Sequence, residues 1–154
     1  MSEPSPSSVP TPPPPHHSPT PAPLPSRALF GPTNTPYEAM GGEAAVRRLV
    51  DAFYDRIRDE SPALRAMHPP DDASSRQKLF EFLSGWLGGP PLFEEKHGHP
   101  RLRMRHGPFP IDQNAVNEWL RCMNGALDHC GVTGPLREFL DARFHHTANF
   151  MRNR

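Results

Sequence analysis

The sequence predicts an all-α fold, on three observations. Apolar residues recur with helical spacing in four long segments. No segment combines strand alternation with hairpin-turn chemistry. The segments are separated by Gly-Gly, Gly-Pro and Pro-Pro pairs, which stop helices. The chain has 154 residues, 17 of them basic and 17 acidic. One domain is the expectation at that length. Zero net charge gives no reason to expect binding to nucleic acid or to an anionic membrane.

More than half of the 22 prolines fall in the first 36 residues. Residues 1–33 read as a Pro/Ser/Thr tail with almost nothing to bury, expected to be disordered with polyproline II character. A ligand for a proline-recognising domain is the alternative to a plain solvated tail. Residues 34–154 remain, enough for one packed core. No basic-then-apolar leader is present, and no apolar run approaches the roughly 18 residues of a membrane span. Cys122 and Cys130, if on one helix, stand about 12 Å apart, too far for a disulfide. Such cysteines suit a reducing, cytoplasmic setting.

Tyr37 to Met40 is a short helical piece, broken by Gly41-Gly42. Glu43 to Glu60 is strongly amphipathic: Val46, Leu49, Val50, Phe53 and Ile57 share one face, with Tyr54 on its margin. Ser61-Pro62 starts a short turn, and His68-Pro69-Pro70 is a rigid corner. The next helix runs from about Ala73 to Leu87, with Leu79, Phe82, Leu83, Trp86 and Leu87 inward and Ser75 on the Leu79 side. Gly88-Gly89-Pro90-Pro91 ends it. Asp112 is a plausible N-cap for a helix to about Cys130, striped by Val116, Trp119, Leu120, Met123 and Leu127. A last helix starts near Pro135, with Leu136, Phe139, Leu140 and Phe144 in register.

Between these lies His97 to Ile111, with three histidines, three arginines, three prolines and no acidic residue. Pro100 is expected to open a helix of under two turns and Gly107-Pro108 to close it, which fixes His106 at its end. The residues alone leave three readings open. His106 is structural, or it ligates a metal, or His97, His99 and His106 hold zinc without an evident fourth ligand.

The stretch Gly98-His99-Pro100-Arg101-Leu102-Arg103-Met104-Arg105-His106 has further company. Gly41-Gly42, Phe53-Tyr54, Gly88-Gly89-Pro90, Pro108-Phe109-Pro110-Ile111 and Trp119-Leu120-Arg121-Cys122-Met123 accompany it. From about Pro36 to Met151 this combination resembles the truncated haemoglobins, group II (O-type) branch. The resemblance implies a truncated globin fold, a two-over-two helical sandwich around haem b (iron protoporphyrin IX). It implies His106 as the proximal iron ligand, and Tyr54, His68, Ser75, Leu79 and Trp119 on the distal side. Arg103, Phe82, Trp86 and Met104 complete the expected cofactor-binding set, with Arg103 favoured over Arg101, Arg105, Lys96 and His99 for the haem propionates. The Tyr54 hydroxyl and Trp119 indole N–H are the donors suited to a polar diatomic ligand.

The implied function is reversible binding of dioxygen, carbon monoxide or nitric oxide at a five-coordinate iron, for oxygen transport or storage. The alternative is nitric-oxide dioxygenation or peroxide turnover at the same haem, with electrons from an external reductase, since no flavin or nicotinamide domain is evident. Histidine at 68, serine at 75 and leucine at 79 depart from the commonest family pattern and bear on ligand affinity. Monomer and homodimer are equally open.

Overall fold

The computed structural model describes residues 30–31 and 33–154. The expectations for the Pro-rich tail therefore lie almost wholly outside the described residues. Eight helices follow in order: α1 Pro36–Met40, α2 Glu43–Glu60, α3 Pro62–Arg65, α4 Ala73–Trp86, α5 Leu92–His97, α6 Leu102–His106, α7 Gln113–His129 and α8 Gly134–Phe150. Among the described residues the only β pairing is one isolated bridge, Gly31 to Asn34.

The α2 stripe predicted from spacing is the centre of the core. Val46, Leu49, Val50, Phe53 and Ile57 are all buried. Each contributes about 1.5–3 kcal/mol by leaving water. α2 packs on both α4 and α7, α8 packs on α7, and α5 lies against α4. Asp112 caps α7 as expected, its Oδ1 accepting the Ala115 N–H at 2.8 Å. Met123 and Leu127 bring the α7 stripe into the same core. Phe30 sets its ring 5.0 Å from Phe139, so contact with the helices begins before residue 34.

The Gly-Gly break after α4 has two separate causes. Gly88 takes φ +92°, a left-handed backbone that favours glycine. Gly89 has the Tyr37 ring against its Cα; an added Cβ would lie 2.6 Å from that ring. This close approach docks α1 on the end of α4, with Tyr37 N–H donating to the Leu87 carbonyl at 2.9 Å.

Charge positions the first turn of α4. Arg76 donates to Asp72 on its own helix at 2.9 Å, and across to Asp51 at 3.1 Å and Asp55 at 2.8 Å on α2. Burial works against its charge, but the hydrogen bonds it donates to Asp72, Asp55 and Asp51 outweigh that and raise its pKa above the usual arginine value. The guanidinium also stands 5.6 Å from the centre of the Tyr54 ring. Arg76 thus locks the turn that carries Ser75 to the helix that carries Tyr54. Arg76→Ala should cost about 1–3 kcal/mol, since it removes charged hydrogen bonds and leaves three carboxylates clustered. Urea denaturation of the two proteins measures this; an unchanged midpoint would show that the network positions nothing.

Candidate functional site

The site draws on the short helix α6, on α2, α4 and α7, and on the corner before α4. On one side α6 is a single five-residue turn and a half, Leu102–His106. It starts later than the proline suggested. Arg101 adopts a left-handed backbone, φ 46°, so the chain leaving Pro100 becomes helical only at Leu102. A non-glycine residue there is strained by about 1–2 kcal/mol. The strain falls immediately before the helix that carries His106.

Leu102 and His106, four apart, point the same way into a cavity of about 460 Å³. The His106 Nδ1 lies 2.7 Å from the Leu102 carbonyl oxygen. A carbonyl only accepts, so Nδ1 carries the proton and Nε2 keeps the free lone pair. The loop beyond α6 is held by the chain's C-terminal segment. Asn153 donates from Nδ2 to the Phe109 carbonyl at 3.0 Å and to the His106 carbonyl at 3.3 Å. Its Oδ1 accepts the Ile111 N–H at 2.9 Å.

Tyr54, His68, Ser75 and Leu79 line the same cavity. A smaller lobe of about 140 Å³ shares Leu79, Phe82, Leu102, His106 and Ile111 with it, and adds Trp119. The two spaces are therefore neighbours that share a wall. Of the five residues expected opposite His106, Tyr54, His68, Ser75 and Leu79 border the larger space and Trp119 the smaller, and His106 lines both.

Their polar atoms differ in what they already bind. His68 repeats the arrangement of His106: Nδ1–H donates to the Leu64 carbonyl at 2.7 Å. Its ring meets the Tyr54 ring edge-on at 5.5 Å between centres. The Tyr54 hydroxyl and the Trp119 indole N–H have no hydrogen-bond partner among the described residues. No fully buried side-chain nitrogen or oxygen there lacks a partner, so both groups open onto free space. Burial first, and then the charge of Asp72, raise the Tyr54 pKa well above the usual phenol value, with Arg76 opposing. Tyr54 is therefore a protonated donor throughout the physiological range.

Three residues expected to hold a cofactor stand elsewhere; only Phe82 borders the cavity. Met104 is exposed on the outer side of α6. Arg103, also outward, stacks its guanidinium 5.2 Å from the Phe150 ring centre. Trp86 stacks on Phe144 at 4.9 Å, away from the cavity, with Arg143 4.1 Å from its ring centre. The cations that do border the cavity are Lys78 and Arg105. Lys78 precedes Phe82 by one helical turn, a signal that the sequence reading passed over.

The zinc reading is corrected. Among the described residues no three His, Cys, Asp or Glu side chains gather to hold a metal. His99 accepts the Arg101 N–H on its Nδ1 at 3.1 Å. His97 turns to the buried Glu81 carboxylate at 3.4 Å, beside Lys96 at 3.5 Å. Neither borders the cavity that His106 lines.

A mostly apolar cavity in an all-helical fold, bordered by two imidazoles whose Nδ1 is tethered to a carbonyl and by an unpartnered phenol, is the kind of space in which a globin holds haem. The profile of the bacterial-like globin family matches residues 35–153. The chain is 48% identical over 120 residues to the group 2 truncated haemoglobin YjbI of Bacillus subtilis, covering 78% of this chain and 89% of that one. It is similar to the structure of a cold-adapted truncated haemoglobin from the Antarctic marine bacterium Pseudoalteromonas haloplanktis, at 47% identity and TM-score 0.76, covering 79% of this chain and 99% of that one. It is also similar to the truncated oxygen-avid haemoglobin of Bacillus subtilis, at 48% identity and TM-score 0.74, covering 78% and 100% of the two chains. The chain belongs to the group II truncated haemoglobins, a branch of the haem-binding globins.

Because its hydroxyl bonds nothing among the described residues, Tyr54 is free to serve a ligand. Tyr54→Phe should therefore change unfolding free energy by less than about 0.5 kcal/mol. A loss of about 2 kcal/mol in chemical denaturation would mean that the hydroxyl is structural instead.

Proposed function

We propose that the protein binds haem b through His106 and holds dioxygen on the opposite face. The observation that carries this is that His106, with its Nε2 free, lines both the cavity bordered by the unpartnered Tyr54 hydroxyl and the adjoining one bordered by the unpartnered Trp119 indole. When bound, haem b supplies an iron whose sixth position takes dioxygen, carbon monoxide or nitric oxide.

The protein's own residues do the rest. The Leu102 carbonyl fixes the His106 tautomer and ring orientation and makes the imidazole a stronger donor. Lys78 and Arg105 at the rim replace Arg103 as partners for the propionates. Phe82, Phe93 and Ile111 give the macrocycle an apolar wall and exclude water. Tyr54 and Trp119 donate hydrogen bonds to a polar diatomic ligand, each contributing about 0.5–1.5 kcal/mol, and more as the ligand gains negative charge. Dioxygen therefore leaves slowly, which favours storage, sensing or redox chemistry over rapid transport. The oxygen avidity named for the Bacillus subtilis relative supports that reading. The two free cysteines support a cytoplasmic setting. Nitric-oxide dioxygenation or peroxide turnover at the same site is the second reading, and it needs a separate reductase.

Two variants test this. The purified protein should be red with a Soret band that shifts under carbon monoxide, and His106→Ala should lose stable haem loading. A colourless protein would refute the proposal. Trp119→Phe should speed dioxygen release, by about tenfold if one charged-type hydrogen bond is lost. Stopped-flow measurement of an unchanged rate would remove Trp119 from the ligand's partners.

A further inference from the structure

The polar side chains bordering the two cavities differ in what they offer a ligand. Tyr54 is a donor, its phenol held protonated by burial and then by the charge of Asp72. The Trp119 indole only donates, and so do Lys78 and Arg105. Ser75 and Thr147 carry hydroxyls, which are not bases at neutral pH. The Met67 thioether is a weak acceptor. Among the described residues no aspartate or glutamate borders either space. The two imidazoles are left, and in the haem reading His106 is committed to iron.

His68 is held as an acceptor. It ends the corner after α3, and its backbone N–H donates to the Arg65 carbonyl at 3.1 Å. Pro69 restricts the backbone on its other side. The ring is fixed by the Nδ1–H bond to the Leu64 carbonyl at 2.7 Å and by the edge-on Tyr54 ring. With its proton on Nδ1, neutral His68 carries a bare lone pair on Nε2. Moving that proton to Nε2 would set a lone pair against the Leu64 carbonyl. Nε2 has no hydrogen-bond partner among the described residues, and no fully buried nitrogen there lacks one, so Nε2 is open to a ligand or to water. Tyr54 and Trp119 thus donate where His68 accepts, and neutral His68 adds nothing to the retention of dioxygen.

We propose that His68 is the proton acceptor of the site, through which the protein takes up small protic weak acids, H–X, as their anions. Hydrogen cyanide and hydrogen peroxide belong to this class. The step is a proton transfer. The H–X bond breaks, its proton goes to the His68 Nε2, and the bonding pair stays on X. The anion is the form suited to the sixth position of ferric haem, and the imidazolium donates a hydrogen bond back to it. Nothing is oxidised or reduced, so no reductase enters. The charged and titratable groups around this step are Arg65 on α3, Tyr54 on α2 with Asp72 and Arg76 beside it, Lys78 on α4, and Arg105 and His106 on α6. Most of them are cationic, and the anion balances the charge that His68 gains. This role rests on the haem reading.

The test takes hydrogen cyanide on the ferric protein as probe. Carbon monoxide on the ferrous protein, a ligand without a proton, is the reference. His68→Leu and His68→Gln should both slow cyanide association by about a hundredfold, the low end for loss of a positioned base. That loss should far exceed any change for carbon monoxide. Glutamine keeps a polar side chain but is no base, so the two variants should agree. Nitrogen NMR of the wild type, which needs no variant, reads the proton directly. The His68 ring should be protonated on Nδ1 alone in the carbon monoxide complex and on both nitrogens in the cyanide complex. Unchanged cyanide association, equal slowing for both ligands, or a ring protonated on Nε2 alone would overturn the proposal. Faster association in both variants would also overturn it, by showing His68 to compete for the sixth position. Dioxygen release quickened as in Trp119→Phe would do so too, by making His68 a donor. A wild-type protein without a Soret band would defeat the haem reading itself, whereas any of these failures in a red protein would remove only the role of His68.

Discussion

The site depends on one hydrogen bond, from the His106 imidazole to the carbonyl one turn earlier on a five-residue helix. A histidine on a free loop could present either nitrogen, in any direction. Here the Leu102 carbonyl takes the Nδ1 proton, and the Asn153 contacts hold the loop that follows. What remains is one basic nitrogen at a set place on the wall of an apolar cavity. A metal centre needs that constraint before any ligand chemistry can occur.

The opposite wall is held by different means. Tyr54 is carried on the buried stripe of α2, and Ser75 on the first turn of α4, with the Arg76 ion-pair cluster joining the two helices. Burying so much of a guanidinium is costly, and the three aspartates offset the cost while fixing the approach of one helix to the other. The Tyr54 and Trp119 donors are left without a hydrogen-bond partner among the described residues. A polar group without an internal partner is a liability for folding alone. It becomes useful when a ligand supplies the acceptor.

The fold was largely legible in the sequence because helix periodicity and breaking chemistry are local. The α2 stripe is buried as its spacing required, Asp112 caps α7, and Gly88-Gly89-Pro90 closes the α4 region. Tyr54, His68, Ser75 and Leu79 were expected on one side of a common space and do line one cavity, while Trp119 lines the neighbouring one. Side-chain direction on a very short helix was not legible. Arg103 and Arg105 differ by two positions, and only the structure separates the outward residue from the one at the rim. Nor could spacing reveal Arg76 reaching back across 21 and 25 residues to Asp55 and Asp51, or Glu81 drawing Lys96 and His97 away from the site. These are long-range charge contacts without a periodic signature.

His68 offers the sharpest challenge, because its Nδ1 is tethered just as that of His106 is, and it borders the same cavity. The most direct test is a crystal structure of the haem-loaded protein, read for which imidazole holds the iron. The expected result is iron on His106 Nε2, with Nδ1 still on the Leu102 carbonyl and with Tyr54 and Trp119 on the other side of the haem. Iron held by His68 alone, with His106 turned away, would contradict it.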